Sequence, residues 1–245
     1  MVIDGKKMGE NILLQIGDTL RGKKLGIVAA PGNPAIESFI KIKTKVAERL
    51  GVEVVRGRLE DIATMCDGVL VQLPHPEAEV LLPQIPGHKD VDALSTQPQV
   101  MAPVAAAVQY ILSREGIGVA NKKVVVVGEG RLVGKPVADM LRAEGSEVLV
   151  VSLEQGSLAE LKDADIVVSG AGSPHLIKPE MLKQGVVLID AGTSESAGKV
   201  VGDCDPACAE VASIFTPVPG GVGPVAVAML FKNLFDLTKN STSGR

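Results

Sequence analysis

Apolar residues along the chain follow two alternating rhythms. Short uninterrupted aliphatic runs, as in strands buried on both faces, alternate with segments whose apolar residues fall at i, i+3, i+4 and i+7, the stripe of an amphipathic helix. Met8, Ile12, Leu13, Ile16 and Leu20 give a helical stripe over Lys7 to Leu20. Leu25 to Ala29 is a strand ending in a loop marked by Pro31, Gly32 and Pro34. Ile36 to Leu50 is a helix with Gly51 as its stop. Strands follow at Val52 to Arg56 and at Gly68 to Leu73, the second ended by Pro74. The chain is then irregular through Pro83, Pro86 and Gly87, and helix returns over Met101 to Ser113.

The second half keeps the same alternation. Val124 to Val127 is a buried strand, followed by glycines at 128, 130 and 134. A helix then opens, with Val137, Met140 and Leu141 on one face and Pro136 in its first turn, where a missing N–H costs nothing. Strands at Glu147 to Val151, Ile166 to Ser169 and Val186 to Asp190 alternate with short helices at Leu158 to Lys162 and Pro179 to Lys183. Ile214 leads into TPVPGGVGP, and a last helix runs from about Val225 to Leu237. Alternating strand and helix with short connections predicts parallel sheets flanked by helices, an α/β fold. REGIGVAN, Arg114 to Asn121, interrupts the pattern and marks a domain boundary, with a second crossing near Pro219 to Gly223. The strand–glycine turn–helix unit suits a diphosphate, because the turn admits close backbone approach and the helix N-terminus favours negative charge. Its GxGxxxG spacing departs from GxGxxG, and a tight βα turn in another α/β protein fits it as well.

Composition narrows the field. The 245 residues are 46% hydrophobic and 22% charged, enough apolar material for a sizeable core. Aromatics make up 2%, with no Trp and one Tyr, which leaves nothing for a base-stacking surface. A net charge of −4 gives no electrostatic footprint for nucleic acid. Cys66, Cys204 and Cys208 form no CxxC pair, so they read as reduced thiols in a cytoplasmic protein, and no metal site is expected. The first residues carry no signal-like basic and apolar sequence, and no run reaches ~18 apolar residues, so no membrane span is expected.

Five stretches stand out together: ESFIKIK, VQLPHP, KDVDAL, VVGEGRLVGKP and TPVPGGVGP. With them the chain resembles the bifunctional methylenetetrahydrofolate dehydrogenase/cyclohydrolase family, from IDGK at Ile3 to the final helix. The resemblance implies a three-layer α/β substrate domain over residues 1–113 plus 222–240 and a Rossmann-type dinucleotide-binding domain with a parallel sheet over 114–221. The small polar stretch 241–245 reads as a disordered tail. The implied activity is oxidation of 5,10-methylenetetrahydrofolate with NADP or NAD, followed by hydrolysis to 10-formyltetrahydrofolate, in a homodimer.

By spacing alone Lys43 is a solvated surface lysine between Lys41 and Lys45; the resemblance makes it catalytic. A desolvated lysine loses its proton readily enough for general acid/base work. Phe39, four positions before it, stands where the family has tyrosine: the ring can stack on a pterin, but a hydroxyl is absent. Gln72 in VQLP is either a polar residue closing a strand or, by resemblance, the group that holds Lys43. Asp92 is either a turn-capping aspartate or, by resemblance, the acceptor for the pterin edge. Val71, Leu73, Pro219, Gly220 and Gly221 would line the substrate. His75 is assigned no role.

Gly128, Glu129, Gly130, Arg131, Val133, Gly134, Gly192 and Thr193 would hold the cofactor. Where NADP-using members have arginine in a GRS sequence, this chain has Glu129. A carboxylate repels a 2′-phosphate and suits free ribose hydroxyls, so NAD is favoured, unless Glu129 faces solvent and Arg131 supplies the cation. Leu153 replaces a phosphate-contacting serine, and Glu154 would be a second acid beside the ribose. Two other readings stay open: a different two-domain Rossmann dehydrogenase, and a non-catalytic folate- or nucleotide-binding homologue.

Overall fold

A computed structural model describes residues 1–152, 158–196 and 199–242. The chain divides into two compact units. The small-sheet unit comprises Glu10–Pro103 and Val227–Arg245; the large-sheet unit comprises Met1–Gly9 and Val104–Ala226. These divisions differ from those read off the sequence, chiefly at the N-terminus. Residues 1–3 join the edge of the large sheet through one parallel bridge, Val2 to Phe215: the N-terminal amine donates to Ser213 O at 2.6 Å, Ile3 N to Phe215 O and Phe215 N to Met1 O, both at 2.9 Å. No helix among the described residues is long and apolar enough to cross a membrane.

The small-sheet unit is built on three parallel strands, β1 (Lys24–Ala29), β2 (Glu53–Arg56) and β3 (Gly68–Gln72), in the order β2-β1-β3. Strand periodicity sorts their side chains. Val28, Val69 and Val71 share a core with Leu59, Ile62 and Cys66 from α3 (Leu59–Met65) and the following turn. Each such fully buried aliphatic chain stabilises by ~1.5–3 kcal/mol. Leu25, Ile27, Leu70 and Gln72 take the opposite face. That face meets α2 (Pro34–Arg49), through Gln72, and the last helix, through Leu234 beside Gly68. Asn33 caps α2, accepting from Ala35 N at 3.0 Å and Ile36 N at 3.4 Å, with Pro34 at the start; Gly51, at φ +68°, follows its end.

The large-sheet unit holds five parallel strands in the order β10-β7-β6-β4-β5. They are β4 (Lys123–Val127), β5 (Glu147–Val151), β6 (Ile166–Ser169), β7 (Val187–Asp190) and β10 (Ile214–Thr216). β4, β6 and β7 are buried apart from Lys123, as their unbroken aliphatic runs require. From β4 the chain steps outward to β5, then returns across β4 to β6. The order therefore reverses between β4 and β6, and the carboxyl ends of those two strands flank the crevice where such sheets take ligands. α6 (Gly134–Ala143) follows β4 and buries Val137, Ala138, Met140 and Leu141. α1 (Gly5–Ile16) and α7 (Val222–Thr242) each begin in this unit and continue in the other; α5 (Pro103–Arg114) opens its second segment.

Several expectations change. α3 and α4 (Ala78–Leu81) have no counterpart in the sequence reading, because helices of seven and four residues show little periodicity. The hairpin of β8 (Ser194–Ser196) and β9 (Lys199–Val201) was also missed, since SES carries no apolar alternation. The helices expected at Leu158 to Lys162 and Pro179 to Lys183 are 3₁₀ turns, Leu158–Asp163 and Pro179–Met181. α7 extends to Thr242, into the stretch expected to be a tail; residues 243–245 lie outside the described ones. So do Leu153 and Glu154.

Candidate active site

The apolar stripe of α2 runs Ile36, Ile40, then Ala47, with Lys43 at the position where another apolar residue would continue it. An amine is thereby turned toward the sheet. Lys43 is half-buried, and its Nζ donates to Gln72 Oε1 at 2.7 Å. Gln72, buried at the end of β3, donates its own Nε2 to Leu73 O at 2.9 Å. That second bond fixes the amide so that its oxygen, not its nitrogen, faces the lysine. Removal from water holds the Lys43 pKa below the ordinary lysine value, against the attraction of Asp92. Burial pushes Asp92 above the usual carboxylate range, with the Lys43 charge opposing and Asp90 adding to the rise. Both groups are thus driven toward their neutral forms, and no direct ion pair joins them.

Asp92 is presented by a turn that its neighbour builds. The fully buried Asp90 accepts from Asp92 N at 3.2 Å and Ser95 N at 2.6 Å. Asn233 on α7 donates to Val91 O and Met101 O, both at 2.9 Å, and closes the loop from the other side. The capping duty weighed for Asp92 therefore falls to Asp90, and the Asp92 carboxylate accepts no hydrogen bond from any described residue. Neither Asp90 nor Asn233 was singled out in the sequence. The D-x-D-x-x-S spacing was the available signal for Asp90; nothing local marks Asn233.

Phe39, one helical turn before Lys43, is 39% exposed, a large ring left available. Val71 lies at the end of β3, beside Gln72. Its side chain is fully buried on the α3 side of the sheet, opposite Gln72, so it has no free side-chain surface for a substrate. Leu73 is partly buried and packs on the same core. Pro219, Gly220 and Gly221 belong to the large-sheet unit. There Gly220 sits at φ +107°, its O accepting from Gly5 N at 2.9 Å, and Gly221 N donates to Pro217 O at 2.7 Å.

In the large-sheet unit the glycine turn is shaped by close packing. A Cβ on Gly134 would lie 2.0 Å from Gly128 O, one on Gly128 2.8 Å from Gly170 O, and one on Gly170 2.3 Å from Val133 Cγ1. Gly128 also holds φ +93°. The turns after β4 and β6 therefore meet backbone to backbone at the switch point, and α6 opens beside them. That cradle fits a diphosphate approached by main-chain N–H groups. Val133 serves by packing against Gly170, while Glu129, Gly130 and Arg131 are exposed. Gly192 is buried after β7, with its N–H on Asp190 Oδ1 at 3.0 Å, and Thr193 is exposed.

Two buried acids complete this end of the sheet. Asp190 accepts from Gly192 N, from Asp203 N at 3.2 Å and from Cys204 N at 2.9 Å, and desolvation raises its pKa to about 6. Asp203, in a GDCDP stretch whose aspartates the sequence reading left aside, is fully buried. Cys204 and Cys208 are buried thiols with pKa values pushed up by desolvation, that of Cys208 to about 11, which leaves no thiolate for nucleophilic chemistry. Among the described residues no group of three or more His, Cys, Asp or Glu side chains is placed to hold a metal ion.

Comparison with known proteins places these two sites in context. Residues 102–242 match the family described as tetrahydrofolate dehydrogenase/cyclohydrolase, NAD(P)-binding domain. The Bifunctional protein FolD of Halothermothrix orenii is 35% identical over 95% of this chain and 95% of its own length. The bifunctional FolD methylenetetrahydrofolate dehydrogenase/cyclohydrolase of Campylobacter jejuni superposes with a TM-score of 0.90 at 27% identity, covering 98% of this chain and 99% of that one. The Trypanosoma brucei enzyme, solved with NADP cofactor and an inhibitor, gives 0.89 at 29% identity over 99% and 98%.

Proposed function

Because the chain belongs to the tetrahydrofolate dehydrogenase/cyclohydrolase family, we propose that it oxidises 5,10-methylenetetrahydrofolate to the 5,10-methenyl cation and hydrolyses that cation to 10-formyltetrahydrofolate. The observation that carries this reading is the Lys43–Gln72 hydrogen bond, which holds a desolvated amine within electrostatic reach of Asp92, whose carboxylate has no hydrogen-bond donor among the described residues. When bound, the nicotinamide supplies the acceptor for the hydride that leaves the methylene carbon. Gly128, Gly130, Gly134 and the start of α6 would hold the diphosphate. Asp92 takes the donor edge of the pterin, and Phe39 offers a face for stacking. In the hydrolytic step water adds to the methenyl carbon and neutral Lys43 takes the proton released; Lys43 then returns that proton to N5 as the carbon–N5 bond breaks, and the adduct's hydroxyl loses its proton to solvent to leave the 10-formyl carbonyl. Gln72 keeps the amine aimed throughout.

NAD is the favoured cofactor of this chain. A 2′-phosphate dianion about 4 Å from the Glu129 carboxylate would lose ~2 kcal/mol even in water-like surroundings. A homodimer is the favoured assembly. β5 pairs only with β4 among the described strands, and Leu149 on it is 46% exposed, an apolar edge that a second copy would cover. Three buried free thiols suit the cytoplasm.

An absorbance assay of methylenetetrahydrofolate oxidation with NAD and NADP in parallel tests the reading. Turnover with NAD and transient methenyl absorbance are expected; in Lys43→Met the oxidised product accumulates without being hydrolysed. Ligand binding without turnover would leave the non-catalytic reading, and a strong NADP preference would overturn the assignment to Glu129.

A further inference from the structure

Asp203 lies outside the groups used above, yet four donors converge on its carboxylate. Oδ2 accepts from Ser169 Oγ and Ala171 N, both at 2.7 Å, and from Gly172 N at 3.3 Å; Oδ1 accepts from Ser173 N at 2.8 Å. No cation pairs with it among the described residues. Three of the four donors are successive main-chain amides of the turn that follows β6. In a trans peptide the carbonyl points opposite to the next N–H. Drawing amides 171, 172 and 173 onto Asp203 therefore turns the carbonyls of Gly170, Ala171 and Gly172 away from it. Gly170 O shows the result: it lies only 2.8 Å from where a Cβ on Gly128 would stand, facing the turn after β4. None of these three carbonyls accepts a hydrogen bond from a described residue. Asp190 holds Asp203 in turn, by accepting its main-chain N–H.

We propose that Asp203 is a positioning residue for the dinucleotide: it presents a row of main-chain acceptors at the switch-point crevice for the hydroxyl and carboxamide donors of the nicotinamide–ribose half. This rests on the cofactor reading given above. A neutral amide cannot replace the carboxylate. Asn keeps one oxygen, but its NH₂ must face either Ser173 N or the trio of Ser169 Oγ, Ala171 N and Gly172 N, donor against donor.

Calorimetric titration of the full chain with NAD and with NADP, alongside hydrolysis of methenyltetrahydrofolate without dinucleotide, tests the proposal. In Asp203→Asn the dissociation constant of the better dinucleotide is expected to rise at least about tenfold. Hydrolysis, which uses groups of the other unit, should stay within about twofold, because independent sites respond separately. Ser169→Ala, which removes one donor and leaves the carboxylate, is expected to weaken dinucleotide binding about threefold. It decides the matter if Asp203→Asn does not fold. Unchanged dinucleotide binding in Ser169→Ala or in folded Asp203→Asn, or hydrolysis falling in step with binding, would overturn the role of Asp203. A wild-type chain that binds neither dinucleotide would instead overturn the cofactor reading, and this role with it.

Discussion

Replacing Gln72 is the sharpest probe of the Lys43 amine, because two substitutions there must move its pKa in opposite directions. The Gln72 oxygen sits 2.7 Å from Lys43 Nζ and is the one hydrogen-bond acceptor of that amine among the described residues. A hydrogen bond from an ammonium contributes about 1.5–3 kcal/mol and one between neutral groups about 0.5–1.5 kcal/mol, so the bond favours the charged lysine by roughly 1 kcal/mol. Gln72→Leu removes that preference, and the Lys43 pKa, already held low by desolvation, falls further. Gln72→Glu places an anion there instead. Unit charges about 4 Å apart near a protein surface attract by ~4 kcal/mol, which raises the pKa. Competitive acetylation of Lys43 across pH, read by peptide mass spectrometry, reports both midpoints. Hydrolysis of the methenyl substrate is followed in parallel by absorbance. Gln72→Leu should lose roughly 10²-fold in rate, since the amine is no longer aimed, and Gln72→Glu should lose rate because the amine stays charged. Coincident midpoints in the three proteins, or an upward shift in Gln72→Leu, would refute the reasoning.

Three further outcomes are expected. Asp190, with a folded pKa near 6 against 3.8 unfolded, binds its proton more tightly when folded. Its contribution to stability is therefore greatest below about pH 4 and declines through pH 6, by about 3 kcal/mol in all. Urea unfolding across that range should show the decline in wild type and not in Asp190→Asn; parallel curves would count against it. Gly170→Ala drives a methyl into Val133 and should cost about 1–3 kcal/mol. Adding Val133→Ala should restore about 1 kcal/mol or more relative to additivity, and an additive double-mutant cycle would deny the contact. Phe39→Tyr should speed hydrolysis about fivefold with folate affinity unchanged, the return of one hydroxyl hydrogen bond of about 1 kcal/mol; an unaltered rate would show that the hydroxyl is dispensable here.

The sequence by itself determined the α/β class and nearly every long element. Val124 to Val127, the helix from Ile36 to Leu50 and the stop at Gly51 act through neighbours in the chain, where periodicity and backbone preference are local properties. Family-specific stretches likewise marked Lys43, Gln72 and Asp92, although a lysine flanked by two others carries no local sign of its environment. Only the tertiary structure decided that Lys43 replaces an apolar residue in a buried stripe and thereby loses water. It alone sent the side chain of Val71 to the far face, a consequence of strand parity once β3 pairs with β1. Asn233 and Asp203 were illegible for the same reason. Their work is to accept from or donate to main-chain groups 30 or more residues away for Asp203 and more than a hundred for Asn233. A hydrogen bond that closes over such distances leaves no rhythm in the sequence; it exists only after the chain has folded.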